Sequence, residues 1–314
     1  MLADARLVFF GTPEFAVPTL AALVEAGTPP LLVVSRPAKP IGRGHELRDP
    51  PVARWARAHG LAVAQPVKAR DEEFLNELER LRPEFAVVVA YGQIFGRRLL
   101  NLPERGSINL HASLLPRHRG AAPVQAALAA GDEITGVTTM LMTEGLDTGP
   151  LLLQREVAIG SDETAGELAG RLAFAGAELM LETLSGMTYG EIVPRAQDDA
   201  LATYAPRIAK EAARVDWMLP APLLRNLYRA HTPWPGMEAR WKNEPVKLLR
   251  LAVGRAGHAD LPGTVLAVDR QRVTVACGAE TALDLFELQR SGRRALSAAD
   301  FANGERLLVG ARFT

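Results

Sequence analysis

The chain has 314 residues, with 36 basic and 36 acidic side chains and no net charge at neutral pH. That length suits two domains, and 48% hydrophobic with 23% charged residues fits a folded protein, not a disordered one. A zero balance excludes a chain that coats nucleic acid or anionic membrane through uniform positive charge, while leaving room for a local basic surface.

Residues 1–10 lack a basic leader region, and their apolar stretch ends at Gly11, Thr12 and Pro13, which makes a poor secretory signal. Uncharged stretches such as 85–96 fall short of the ~18 apolar residues of a membrane span. The single cysteine, Cys277, can form neither an internal disulfide nor a cysteine-based zinc site. In Val273-Thr-Val-Ala-Cys it reads as buried strand packing. A reducing, cytoplasmic setting is the expectation.

The first two-thirds alternates β-branched runs with helical patterns. Residues 6–11 read as a strand, and Thr12-Pro13 resembles an N-cap with proline at the first helical position. A helix is expected over 14–26, a strand over 31–34, a helix over 51–59, a strand over 61–65 and a charged-faced helix over 71–82. Segments 85–90, 107–111, 121–130, 136–142, 151–157 and 164–184 continue the alternation. Strands without polar alternation, spaced by helices, indicate a doubly wound parallel sheet covered on both faces. In such sheets a ligand site lies beyond the carboxyl ends of the strands. After Tyr189 the pattern changes: 192–206 reads as a linker, 207–217 and 220–231 as helical or irregular. Short strands are then expected over 237–241, 246–251, 263–268, 272–276 and 282–288, suggesting a small β-barrel or sandwich.

The first strand-to-helix turn, Gly11-Thr-Pro-Glu-Phe, has one glycine and a proline, so it lacks the G-x-G-x-x-G fingerprint for a dinucleotide. Gly42-Arg43-Gly44 lacks the third glycine, and no phosphate-loop motif occurs. Chemistry concentrates instead in Ser107-Ile-Asn-Leu-His-Ala-Ser-Leu-Leu-Pro-Arg-His-Arg-Gly120. Asn109 and His111 are two apart on a strand and therefore face the same side. An amide donor beside an imidazole suits oxyanion stabilisation and proton transfer. Gly145-Leu-Asp-Thr-Gly149 holds Asp147 in a loop where its carboxylate can approach a site and fix the tautomer of a histidine. Each motif alone also suits a structural hydrogen-bonded pair or a turn.

With those residues in place, the chain resembles the folate-dependent formyltransferases over nearly its whole length. The matching pieces include Phe10-Gly-Thr-Pro-Glu-Phe-Ala, Arg36-Pro-Ala-Lys-Pro-Ile-Gly-Arg-Gly44, Val88-Val-Ala-Tyr-Gly92, Asn109-Leu-His-Ala-Ser-Leu-Leu-Pro-Arg-His-Arg-Gly-Ala-Ala-Pro123, Gly145-Leu-Asp-Thr-Gly149 and Lys210-Glu-Ala-Ala-Arg-Val-Asp-Trp217. His118 stands where an aromatic is common in the family. The loop around Gly42-Arg43-Gly44 and Pro233-Trp-Pro235 resemble the members that act on a charged tRNA.

The resemblance implies a Rossmann-like catalytic domain over 1–190, a linker over 191–206 and an OB-like, tRNA-binding β-barrel over 207–314. It implies transfer of the formyl group of 10-formyltetrahydrofolate to the α-amino group of methionine on initiator methionyl-tRNA, without a metal or covalent intermediate. Asn109 and protonated His111 would donate hydrogen bonds to the formyl oxygen, and Asp147 would orient His111 and help remove the amine proton. Folate would lie against Ser113, Leu114, Leu115 and Pro116, with the pterin near Tyr91, Gly92, Gln93 and Ile94. The 35–47 loop, with Arg36, Lys39 and Arg43, would enter the acceptor stem. A monomer without membrane contact is expected.

The neutral total conceals a split. Residues 1–209 carry 20 Lys and Arg against 25 Asp and Glu, whereas 210–314 carry 16 against 11. The basic half is the expected partner of phosphates. Three other readings share features of this sequence: formylation of an amino sugar nucleotide, hydrolysis of the formylated folate, and a non-catalytic RNA-binding relative.

Overall fold

A computed structural model describes residues 5–41 and 46–314; Arg43, with Gly42, Gly44 and His45, lies outside the described residues. In chain order the first half comprises β1 (Leu7–Gly11), α1 (Val17–Glu25), β2 (Leu32–Val34), β3 (Lys39–Ile41), β4 (Glu46–Arg48), α2 (Pro51–Ala58), β5 (Val63–Ala64), α3 (Glu72–Leu81) and β6 (Phe85–Val89). There follow α4 (Arg97–Leu100), β7 (Ser107–His111), β8 (Arg119–Gly120), α5 (Pro123–Ala130), β9 (Ile134–Leu141), β10 (Leu151–Ala158), α6 (Ala165–Tyr189) and β11 (Tyr204–Ala205). The remainder is α7 (Ala221–His231), β12 (Glu238–Trp241), β13 (Glu244–Val253), β14 (Val265–Val268), β15 (Val273–Ala276), β16 (Ala282–Arg290), β17 (Leu296–Ser297) and α8 (Ala298–Glu305).

The chain divides into two units. The first consists of Met1–Pro123, Ile134–Ile159 and Leu168–Ala205; the second of Val124–Glu133, Gly160–Glu167 and Pro206–Thr314. In the first, seven strands form one sheet in the order β10-β9-β7-β6-β1-β2-β5. From β5 to β7 the strands are parallel, and every residue of β1 and β6 is buried because both faces are covered. The last two strands depart from the parallel expectation: β9 runs antiparallel to β7, and β10 antiparallel to β9. A nine-residue connection between them, residues 142–150, is too short for a crossover helix and forces a hairpin.

On one face of this sheet Val8, Phe10, Val34, Ala86 and Val88 form a core with Phe74, Leu75 and Leu78 of α3. Those three positions lie on one stripe of a helix that carries Glu72 and Glu73 in its first turn and Arg80 in its last, which suits the helix dipole. Two segments read as irregular from sequence are ordered by pairing. On either side of residues 42–45, which lie outside the described residues, Lys39–Ile41 pairs with Glu46–Arg48, Lys39 opposite Arg48. The segment read as a linker is bound into the first unit: Arg195 exchanges backbone hydrogen bonds with Leu151, and β11 adds to β8.

The second unit is built on the antiparallel order β12-β13-β16-β15-β14, with β17 on β16. Val246, Leu248, Val265, Val273, Val275, Leu283 and Leu285 point into one core, closed by Leu224 of α7 and Phe301 of α8. Sequence reading found the strands but not α8. Ser297 starts this helix by accepting a hydrogen bond from the backbone of Asp300, a local signal that α8's eight residues made easy to pass over.

Cys277 follows β15, is 1% exposed and belongs to that core. Burial pushes its thiol pKa up to about 12, so the reactive thiolate is suppressed at neutral pH. A thiol reagent should therefore leave the native protein unlabelled at neutral pH and label one site after denaturation; rapid native labelling would mean that this strand end opens.

Candidate active site

β7 is the strand on which the sheet changes direction, parallel to β6 on one side and antiparallel to β9 on the other. Asn109 stands between Val88 and Met140, and His111 lies opposite Thr138. The Asn109 amide is partly exposed and has no hydrogen-bond partner among the described residues. His111, by contrast, is 6% exposed.

The imidazole is held on both sides. Its Nε2 lies 3.0 Å from the carbonyl oxygen of His118. A carbonyl only accepts, so Nε2 carries a hydrogen and donates it. Nδ1 faces Asp147 Oδ2 at 3.7 Å, too far for a hydrogen bond but within ion-pair range when the ring is charged. Nδ1 is therefore the ring nitrogen without a hydrogen-bond partner among the described residues. His111 thus meets the expected carboxylate, Asp147, and Asn109 stands two residues back on the same strand.

Asp147 arrives by an indirect route. Leu141, the last residue of β9, pairs with Ile108, so the 142–150 loop departs beside the beginning of β7. His111 lies three residues farther along, roughly 10 Å at the strand rise, and the loop must turn back over the sheet. It does so with Asp147 at φ 52, left-handed for a residue other than glycine. Gly120 N donates to Asp147 Oδ2 at 2.8 Å and fixes one carboxylate oxygen. The other has no partner among the described residues.

The loop after β7 is anchored from below. Thr138 Oγ1 donates to the Ser113 carbonyl at 2.6 Å and accepts from Leu115 N at 3.2 Å, while Gln154 Nε2 donates to the Leu115 carbonyl at 2.9 Å. Ser113 is fully buried with its hydroxyl on the Arg117 carbonyl, and Leu115 packs with Met140 and Leu151. Of the four residues expected against folate, Leu114 and Pro116 keep partly exposed side chains.

The second expected patch follows β6. Tyr91 is 2% exposed, set edge-on to Phe10 and Phe95, and its buried hydroxyl has no partner. Burial raises its pKa to about 12 despite the nearby Arg36 charge. Gln93 is engaged in structure, accepting from Ala69 N and donating to the Pro66 carbonyl. Gly92 is exposed, as is Ile94 at 91%, and the Arg36 side chain runs 3.6 Å from where a Gly92 Cβ would stand. Lys39 is exposed on the β3–β4 ladder. Sequence reasoning missed Arg119 and Gln197, which lie behind Asp147; Arg119 stands within the 109–123 motif without a role assigned to it, and Gln197 lies in the segment read as a linker.

Residues 5–184 match the family model described as formyl transferase, and residues 207–306 that of the formyl transferase C-terminal domain. The chain is 46% identical over 311 residues to the methionyl-tRNA formyltransferase of Geobacter sulfurreducens, covering 99% of this chain and 97% of that protein. It is also 46% identical to the enzyme of that name from Citrifermentans bemidjiense, over 98% of this chain and 96% of that one. Among solved structures, the N-formyltransferase of Helicobacter canadensis, in complex with folinic acid and dTDP-3-aminofucose, superposes with a TM-score of 0.67 at 15% identity. That match covers 91% of this chain and 99% of the other. HypX from Aquifex aeolicus, in complex with tetrahydrofolic acid, gives a TM-score of 0.63 at 15% identity, covering 97% of this chain and 48% of that one. These two similarities establish fold alone.

The Asp147 turn makes a sharp demand on Gly149, where an added Cβ would stand 1.7 Å from the Leu141 carbonyl oxygen. Backbone cannot yield as a side-chain tip can, so Gly149→Ala should shift the turn and lower turnover by about 10²-fold, the cost of a displacement near 1 Å. Gly170→Ala, on α6 with nothing within 4 Å, should retain activity and stability. Parallel melting curves and turnover measurements on the two variants check this.

Proposed function

The chain belongs to the formyl transferase family, and from that premise we propose that it carries the formyl group of 10-formyltetrahydrofolate to the α-amino group of methionine on initiator methionyl-tRNA. The observation that carries this reading is the pairing of His111 with Asp147, on the strand that also carries Asn109, in a chain similar throughout its length to enzymes named for that acceptor. Formylation of an amino sugar nucleotide rests on structural likeness at 14–15% identity, a weaker basis for the acceptor.

When bound, the folate supplies a formyl carbon that an amine can attack. Asn109, whose amide has no partner among the described residues, donates a hydrogen bond to the formyl oxygen as negative charge grows there. His111 in its doubly protonated form donates from Nδ1, because Nε2 is committed to the His118 carbonyl. Asp147, with one oxygen fixed by Gly120, balances the imidazolium and offers its other oxygen to the proton leaving the amine.

Folate is supported against Leu114 and Pro116, with buried Ser113 and Leu115 anchoring the loop that presents them. The exposed Ile94 and the side-chain-free Gly92 suit close approach of the pterin beside Tyr91, with Gln93 shaping the turn. Arg36, Lys39 and Arg43 supply charge for the acceptor stem, and the basic C-terminal half supplies more. A cleft of about 500 Å³ in the second unit, lined by Arg255, His258, Arg272 and Asp284 among others, adds a polar concavity to that half. Among the described residues no helix is long and apolar enough to cross a membrane. A charged initiator tRNA as acceptor suits work in the cytoplasm, and action as a monomer is part of the same proposal.

Purified protein given 10-formyltetrahydrofolate should formylate methionyl initiator tRNA; formylation of amino sugar nucleotides alone overturns the acceptor assignment. Asn109→Ala should stay folded and lose about 10²–10³-fold in single-turnover rate, as for other preorganised oxyanion donors. Arg43→Ala should raise the KM for tRNA and leave that for folate unchanged; equal values for wild type and variant would remove the loop from RNA binding.

A further inference from the structure

The loop that delivers Asp147 is gripped by a side chain from a distant part of the sequence. Gln197 Nε2 donates to two backbone carbonyls, Asp147 O and Gly149 O, each at 2.8 Å. Its Oε1 accepts from Arg119 Nε at 3.1 Å and from Arg119 Nη2 at 2.8 Å. Both amide hydrogens and both oxygen lone pairs are thus used. The opposite amide orientation would set oxygen against two carbonyls and NH₂ against a guanidinium, so the partners leave one arrangement.

Arg119 is fixed in turn. It is 2% exposed, and its Nη2 also meets Asp199 Oδ1 at 2.7 Å. Its backbone lies in β8, where Arg119 N donates to the Thr203 carbonyl at 2.8 Å. The next residue is Gly120, whose N–H holds the Asp147 carboxylate. Gly120 has φ +123, and an added Cβ would meet the Ala205 carbonyl oxygen at 2.5 Å, so this backbone can sit against β11 only without a side chain. Asp147 is therefore held at both ends, its carboxylate by Gly120 and its backbone carbonyl by Gln197. The two grips meet in Arg119.

We propose that Gln197 is a positioning residue for Asp147: it touches no reacting atom, and through the Asp147 and Gly149 carbonyls it keeps the left-handed turn that aims the carboxylate at His111. Arg119 holds the Gln197 amide in the orientation this requires. The proposal rests on the reading of Asp147 as part of the formyl-transfer site. An amide is needed because Glu would place a carboxylate oxygen against the two carbonyls, and Met would fill the space with no donor.

The test is a double-mutant comparison in the formyl-transfer assay on methionyl initiator tRNA, using Gln197→Met, Asp147→Asn and the two combined, with melting curves for each. Gln197→Met should lower kcat by about 10²-fold, with KM for tRNA and folate within about twofold of wild type. In the Asp147→Asn background the same substitution should cost nothing further, since there is no carboxylate left to aim. Unchanged kcat for Gln197→Met, or an equal loss in both backgrounds, overturns the proposal and leaves Gln197 a structural staple. If Gln197→Met does not fold, Arg119→Lys is measured the same way, keeping the buried charge while losing the two-point grip on the amide oxygen. A wild-type protein without formyl transfer, or an Asp147→Asn variant as fast as wild type, overturns the functional reading and the proposal with it.

Discussion

The site depends on one carboxylate being held where the chain does not naturally bring it. Asp147 sits on a hairpin loop that leaves the sheet at the level of Ile108, yet its oxygen stands 3.7 Å from the imidazole of His111. A left-handed backbone at a residue other than glycine costs on the order of 1 kcal/mol and persists only where surrounding structure over-determines it. Here that structure is specific: the Gly120 N–H on the carboxylate, Gln197 on the following carbonyls, and the absence of a Cβ at Gly149.

The same constraint explains why residues 191–205 are part of the first unit rather than a tether. Arg119 is buried, and an uncompensated buried guanidinium would be strongly destabilising, on the order of 3–5 kcal/mol if its partner were removed. Gln197 and Asp199 provide the compensation, and the Arg195–Leu151 pairing keeps them in register with β10. The His118 carbonyl contributes separately, by taking the Nε2 hydrogen of His111 and leaving Nδ1 turned toward Asp147. A backbone group, indifferent to the residue type at 118, performs this task, so a histidine where the family commonly has an aromatic changes nothing in that bond.

Much of the architecture was legible locally. β1 and β6 are uninterrupted apolar runs, β7 alternates polar and apolar residues, and α3 carries its apolar stripe at helical spacing, so their positions agree with the sequence pattern to within a residue or two. Strand direction was not legible: nothing within 134–141 distinguishes an antiparallel from a parallel strand, because the hairpin is imposed by the short connection to β10. Two-residue strands such as β8 and β11 carry no periodicity at all and exist only because each finds the other. The burial of Ser113 and Leu115 is likewise a tertiary effect: Thr138 and Gln154, more than 20 positions away, draw that loop inward.

The chain's motifs resemble those of the family, residue chemistry and spacing draw attention to Asn109, His111 and Asp147, and a count divides the charge between an acidic N-terminal and a basic C-terminal portion. Those properties are written in the identity of single residues and their immediate neighbours. Tertiary structure decided which imidazole nitrogen is free, which carboxylate oxygen is open, and that Gln197 and Arg119 stand behind the acid. Such facts depend on hydrogen bonds between residues as many as 78 positions apart, and no local pattern encodes a partner at that distance.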